Sequence, residues 1–259
     1  MSTFNPIFYY NIITASASFK NLLIAAYKFE NNGNDSHTNA YNGIVGATTT
    51  FSTANAVDGL AGQFINNTTS RITIPALISS AFTFTTSTGI GNGVDKPFSI
   101  KANIRINNYS TLNGIFSKYS GANNNTSEYL FYVRTNGRLA LLMLNRGTGT
   151  NYLLLETIAT VPIGGVNNVV VAYDGSGSVN GISFWINNVL SKTSILGTTN
   201  NVSVGTYLSM GSTALTPVIA ASALGSVKLV GTIDELYIFN AALTVAQVAT
   251  LQTNYYPNF

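Results

Sequence analysis

From Phe98 to Ile106 the chain reads FSIKANIRI, an unbroken alternation that sets Phe98, Ile100, Ala102, Ile104 and Ile106 against Ser99, Lys101, Asn103 and Arg105. A period of two puts the two sets on opposite sides of an extended strand, whereas a helix would scatter both around its axis. The pattern recurs. In YLFYVRTNGRLALLMLN two apolar runs flank Asn136-Gly137, the pair that most readily takes positive φ at both central positions of a tight turn, so a hairpin is predicted. ISFWINNVLSK repeats the arrangement around Asn187-Asn188, since Asn tolerates left-handed geometry best after Gly.

Further strands are expected at 22–29, 62–66, 70–74, 81–86, 114–119, 152–159, 167–173, 204–210 and 229–239, most of them separated by Gly, Asn, Ser and Thr. Many short strands with frequent turns predict an all-β, two-sheet antiparallel jelly-roll sandwich. One short helix is expected near the C-terminus. TVAQVATL, residues 244–251, opens on Thr244 with Gln247 three positions on, a capping box, and Val245, Val248, Ala249 and Leu251 are its expected buried stripe. Residues 1–20 carry Phe4, Phe8, Tyr9, Tyr10 and Phe19 in irregular sequence and read as an arm, with residues 21–259 as the jelly-roll domain.

Composition narrows the partners. Charged residues are 8% of the chain, against about 25% in an average domain. Asn, Thr, Ser and Gly take over the surface role of Lys and Glu. The net charge of +3 comes from 12 basic and 9 acidic residues with no basic cluster, so a phosphate-tracking nucleic-acid surface is excluded as an expectation. There is no cysteine, hence no disulfide frame and no thiolate chemistry. The N-terminus has no basic residue before its apolar part and is broken by Pro6, a poor secretory signal; no apolar run approaches the ~20 residues of a membrane span.

Three segments resemble the laminin-G-like branch of concanavalin A-like jelly rolls. LIAAYKFENNGNDSHTNAYNG with AVDGLAGQFINNTTSRITIP is similar to the family's opening strand, polar loop and G-x-A-x-x-F run. VVVAYDGSGSVNGISFWINNVL resembles its central Tyr-Asp-Gly strand and following hairpin. GTIDELYIFNAALTVAQVATL is similar to the closing G-x-I-D-E pattern with its A-L and helix, the most specific of the three. The resemblance spans about residues 22–252. It implies two packed antiparallel sheets, a frame used by sugar-binding modules and by glycan-cleaving enzymes alike, so the site must decide the function.

The resemblance also implies a calcium ion tying the first polar loop to the I-D-E strand. Asp35 matches the loop aspartate and Asp234 the motif aspartate, with Asn32, Asn34 and Asn39 as further oxygen donors. The plainer reading stays open: Asp35 capping its own turn, Asp234 accepting at a strand end, and His37 a solvated loop residue.

Hydrolysis is not expected. Glycosidases place two carboxylates roughly 5–9 Å apart across the sugar, and enzymes of this superfamily carry them at alternating positions of one strand as E-x-D-x-x-E or E-x-D-x-E. Neither pattern occurs, and Asp234 and Glu235 are adjacent, so they face apart. Sugar binding needs aromatic platforms beside amide or hydroxyl groups. Tyr109, Tyr119, Tyr129, Tyr132, Tyr152 and Trp185 are the candidates, with a packing role for Trp185 as the competing reading. The expectation is a non-enzymatic virion protein, a bacteriophage tail, fibre or capsid-decoration subunit whose lectin-like jelly roll holds host-surface glycan. Its other partners would be virion subunits or copies of itself. The alternative is a bacterial carbohydrate-binding module or glycan-processing protein at the cell surface or outside the cell.

Overall fold

The structure is a computed structural model, and it describes residues 21–121, 126–145, 151–191, 194–197, 207 and 209–258. The expected arm lies outside them. Two eight-stranded sheets pack face to face. The first contains β1 (Leu23–Tyr27), β3 (Thr50–Ser52), β4 (Ala61–Phe64), β6 (Phe98–Ile106), β11 (Asn167–Tyr173), β12 (Ile182–Ile186), β13 (Val189–Leu190) and β16 (Gly231–Phe239). The second contains β2 (Ile44–Val45), β5 (Ile72–Thr73), β7 (Asn113–Lys118), β8 (Tyr129–Val133), β9 (Arg138–Leu144), β10 (Tyr152–Thr160), β14 (Ser194–Gly197) and β15 (Val218–Ile219). The first runs β13-β12-β11-β6-β16-β4-β3 and the second β14-β10-β9-β8-β7-β15-β5-β2, all pairs antiparallel. This is the expected jelly-roll sandwich.

Alternation decides what the core contains. The apolar set of β6 is wholly buried between the sheets, where Phe98 stacks on Phe84 at 4.3 Å between ring centroids. The polar set is covered too: Ser99 and Lys101 are fully buried and Asn103 nearly so. The cover is α1 (Val245–Thr253), which lies over the outward face of the first sheet. Thr244 caps it with the expected box, both reciprocal bonds to Gln247 being present.

Several local expectations are revised. The helix buries Val248 and Leu251, joined by Leu243 from the preceding turn, while Val245 and Ala249 face solvent; a nine-residue helix lying on a sheet has room for one narrow stripe. Residues 81–86 are not a strand. Ala76–Phe82 forms a 3-10 helix behind Pro75, and only Thr85 makes an isolated bridge, to Asp95. At the Asn136-Gly137 hairpin only Gly137 has positive φ, at 80°; Gly137 N–H donates to Arg134 O and Arg134 N–H to Arg138 O, so the loop is longer than a two-residue turn. Asn187 and Asn188, at φ 50° and 70°, do form the tight mirror-image turn. Of the strand expected at 204–210, residues 204–206 and 208 lie outside the description and the rest are irregular.

One strand organises the first sheet. Along the same edge of β16, Gly231–Ile233 pairs with β4 and Leu236–Phe239 with β1, while β6 runs along the other edge. The β6 register slips between Asp234 and Tyr237, and Glu235 at that slip has φ 50°. A left-handed conformation costs a residue with a Cβ about 1–2 kcal/mol, so this bulge is held by its surroundings.

Candidate functional site

The polar loop at 30–43 turns a corner. Its backbone uses positive φ at Asn31 and Ala40, and Asp35 holds it together: Oδ1 accepts from Ala26 and His37 N–H, Oδ2 from Tyr41 N–H. Asp35 is buried, and burial raises its pKa against the pull of those three donors. Asn32 bonds within its own turn, and Asn39 donates to Ile24 O. His37 is half-buried edge-on against Tyr256, 6.1 Å between centroids, rather than freely solvated.

Asp234 is engaged elsewhere. Its Oδ2 accepts from Val57 and Asp58 N–H, in the loop between β3 and β4, and its Oδ1 is buried without a partner. Asp35 and Asp234 each tie down a separate stretch of backbone. Among the described residues no three His, Asp or Glu side chains converge as a metal site.

The aromatic candidates separate into packing and surface. Tyr129 is fully buried between the sheets, its hydroxyl donating to Phe82 O at 3.0 Å. Trp185 is 3% exposed and packs with Val170 beneath α1. Tyr109 clamps the base of the β8–β9 hairpin, donating to Val161 O beside Gly137. Tyr119 and Tyr132 stand together on the outward face of the second sheet, and Tyr152 joins them.

That face follows from strand register. Leu130, Tyr132 and Arg134 alternate outward from β8; Arg138, Ala140 and Leu142 do so from β9; Tyr152, Leu154 and Glu156 from β10. Leu154, Leu142 and Leu130 form one row across the sheet, and Glu156, Ala140 and Tyr132 the next. Val227 rises beside them over Gly114, where a Cβ would meet it at 3.1 Å. Tyr119, Leu142, Tyr152 and Leu154 are half-buried, while Leu130, Tyr132, Ala140 and Val227 are buried.

Beyond the tyrosines lies a charged border that the sequence reading missed. Glu156, 1% exposed, accepts from Arg138 Nη1 at 2.6 Å and from Asn136 Nδ2 at 3.2 Å, and Arg134 Nη1 lies 3.4 Å from its Oε2. Burial pushes the Tyr132 hydroxyl up to about 12; Arg134 opposes this, while Tyr119, Glu156 and Tyr152 add to it. The phenol is protonated at neutral pH and can donate. Period two applied jointly to YLFYVR, RLALL and YLLLE was the signal that could have found this border.

Three of the acidic side chains are committed to partners. Glu156 is committed to two arginines, Glu128 to Lys118 at 2.7 Å, and Asp95 to Tyr173, Tyr207 and the backbone of Met210. No described helix is long and apolar enough to cross a membrane.

Comparison with known structures agrees with the architecture. Domain 4 of AbnA, an extracellular GH43 arabinanase from Geobacillus stearothermophilus solved with arabinotriose, superposes at TM-score 0.56 with 18% identity, over 89% of this chain and 98% of that one. The ligand-binding domain of botulinum neurotoxin serotype D, solved with N-acetylneuraminic acid, gives 0.59 at 13% identity, over 92% and 52%. The receptor-binding domain of botulinum neurotoxin type G gives 0.55 at 15%, over 90% and 51%, so the chain spans about half the length of these toxin domains. At such identities the likeness is one of fold. No curated protein matches the sequence. A laminin-G family model described as the concanavalin A-like lectin/glucanases superfamily matches residues 67–249, most of the chain. By that match, and by the sandwich that carries it, the chain belongs to the concanavalin A-like lectin/glucanase superfamily.

Proposed function

We propose that this protein is a non-enzymatic carbohydrate-binding jelly roll that holds glycan on the outward face of its second sheet. The observation that carries the reading is the cluster of Tyr119, Tyr132 and Tyr152 on that face, half-buried at Tyr119 and Tyr152, 5% exposed at Tyr132 and flanked by polar groups. A pyranose has an apolar face and a polar rim, and tyrosines beside hydrogen-bond donors complement both. The opposite outward face is covered by α1. Calcium has no part in this reading, because Asp35 and Asp234 serve separate turns.

The setting we infer is a virion, as a bacteriophage tail, fibre or capsid-decoration protein. Its support is low charge, Asn/Thr/Gly-rich strands and the aromatic residues of 1–20. A bacterial module at the cell surface is the second reading, favoured by the likeness to an arabinanase domain solved with its sugar.

A glycan array probed with the intact protein, with and without a chelator, tests the function. Binding is expected and is expected to survive chelation. Tyr119→Ala or Tyr152→Ala should weaken it at least tenfold, equivalent to about 1.4 kcal/mol. An array blank for every glycan overturns the proposal.

A further inference from the structure

The charged border of the tyrosine face has a composition that a neutral sugar does not call for. Two arginines converge on one carboxylate, so the trio carries one net positive charge. Glu156 is almost fully buried, yet the arginine side chains are 31% and 33% exposed. The carboxylate therefore acts from below, fixing the two guanidinium groups while leaving their outer edges in solvent. Each guanidinium has five N–H donors, and among the described residues each has only Glu156 as a side-chain partner. Several donors per arginine remain available, in the planar fork that matches an oxyanion.

Placement makes the charge useful. Arg134 is two residues beyond Tyr132, just past the end of β8, and Arg138 is two before Ala140, the residue opposite both Tyr132 and Glu156. The guanidinium groups thus stand one strand repeat from the ring, about 7 Å along the strand. Tyr132 is only 5% exposed, so it offers its hydroxyl rather than its ring face, and a sugar reaching that hydroxyl would carry a substituent to that distance. The hydroxyls of Tyr119 and Tyr132 have no partner among the described residues and can serve the sugar's own hydroxyls.

We propose that Arg134 and Arg138, preset by Glu156, make this face selective for glycans bearing an oxyanion, a sugar carboxylate or a sulfate ester. This rests on the glycan-binding reading above and adds the ligand class to it.

The test uses the intact protein and matched pairs: sialyllactose against lactose, an oligogalacturonate against its methyl ester, and a sulfated chondroitin oligosaccharide against its desulfated form. At least one acidic member is expected to bind about tenfold or more tighter than its neutral partner, and to weaken severalfold as salt is raised from about 50 to about 300 mM, because ions screen exposed charges. The carboxylate and sulfate pairs identify which oxyanion is taken. In Arg134→Gln/Arg138→Gln the preference and the salt dependence should both vanish; circular dichroism reports whether the variant is folded, and Arg134→Lys alone should keep the salt dependence while losing affinity.

Equal binding within every pair overturns the oxyanion selectivity and leaves glycan binding standing. An acidic preference undiminished in the folded double variant also overturns it, since the anion is then read elsewhere. Absence of binding to any glycan removes both readings.

Discussion

Lys118→Met is expected to destabilise the fold by about 3–5 kcal/mol, a fall in melting temperature on the order of 10 °C for a chain of this size. Lys118 and Glu128 are both fully buried, with Nζ 2.7 Å from Oε1. The ammonium also donates to Thr83 Oγ1 at 2.6 Å and reaches Ser79 O and Thr213 O at 3.4 and 3.3 Å, while the same carboxylate oxygen accepts from Thr213 N–H. The pair thereby pins the 3-10 helix and the segment at 213 to β7 and β8. Burial drives the Lys118 pKa down and the Glu128 pKa up, and each partner opposes the shift in the other. Removing one leaves the other charged and unpaired in the interior. Lys118→Met/Glu128→Leu should recover most of the loss, because two apolar groups need no partner. Urea denaturation of the four proteins of the cycle measures this, and a double variant no more stable than the singles would refute it.

The second large effect is a dependence of stability on pH centred on β16. Burial raises Glu235 to about 8 and Asp234 to about 6, and lowers Lys101, which donates to the Glu235 carbonyl, to about 7. For the two acids the folded state binds protons more tightly than the unfolded one. Their contribution is therefore full below about pH 4, near the unfolded values, and is lost as pH rises through 6 and 8. For Lys101 the unfolded state holds the proton longer, so stability returns between about pH 7 and 10.5. The cluster should be weakest at about pH 7–8 and stronger on either side. Asp35, Asp95 and Glu128 slope the same way as the acids, and Lys118 as Lys101, so the test is a difference. Urea midpoints at about pH 5, 7.5 and 9.5 should show wild type losing a few kcal/mol between the first two and Glu235→Gln losing less. Parallel profiles would sink the assignment.

How much of this was legible in the sequence follows from which forces act locally. FSIKANIRI and NNVVVAY show their strands because alternation and β-branching are properties of neighbours, and Thr244 with Gln247 announces a helix start for the same reason. The strand expected at 81–86 does not form because Ala81 and Phe82 close the 3-10 helix that follows Pro75 and sits on the buried Lys118, although the alternation of Phe82 and Phe84 suits a strand. Lys101 falls on the polar side of the FSIKANIRI alternation, yet α1 and the C-terminal segment cover it; its Nζ lies 4.7 Å from the Tyr237 ring centroid and 5.3 Å from that of Tyr255. At the site, residue type alone does not place the aromatics: Tyr129 and Trp185 pack between the sheets and beneath α1, while Tyr119 and Tyr152 stand half-buried on the outward face. Only register across three strands separates them, and the same register gathers Arg134, Arg138 and Glu156, residues spread over 23 positions of chain.

The crimp at Glu235 has an implication for how such a chain can vary over time. Substitutions can drift through β16 as long as volume and polarity are respected. A change in its length cannot: losing or gaining one residue at the slip would turn Leu236, Tyr237, Ile238 and Phe239 inside out and misalign β1, β4 and β6 together. Insertions are better absorbed at β13, which touches a single neighbour. The strand with three partners is thus the ruler of this molecule, and its rim strands are where related chains are free to differ in length.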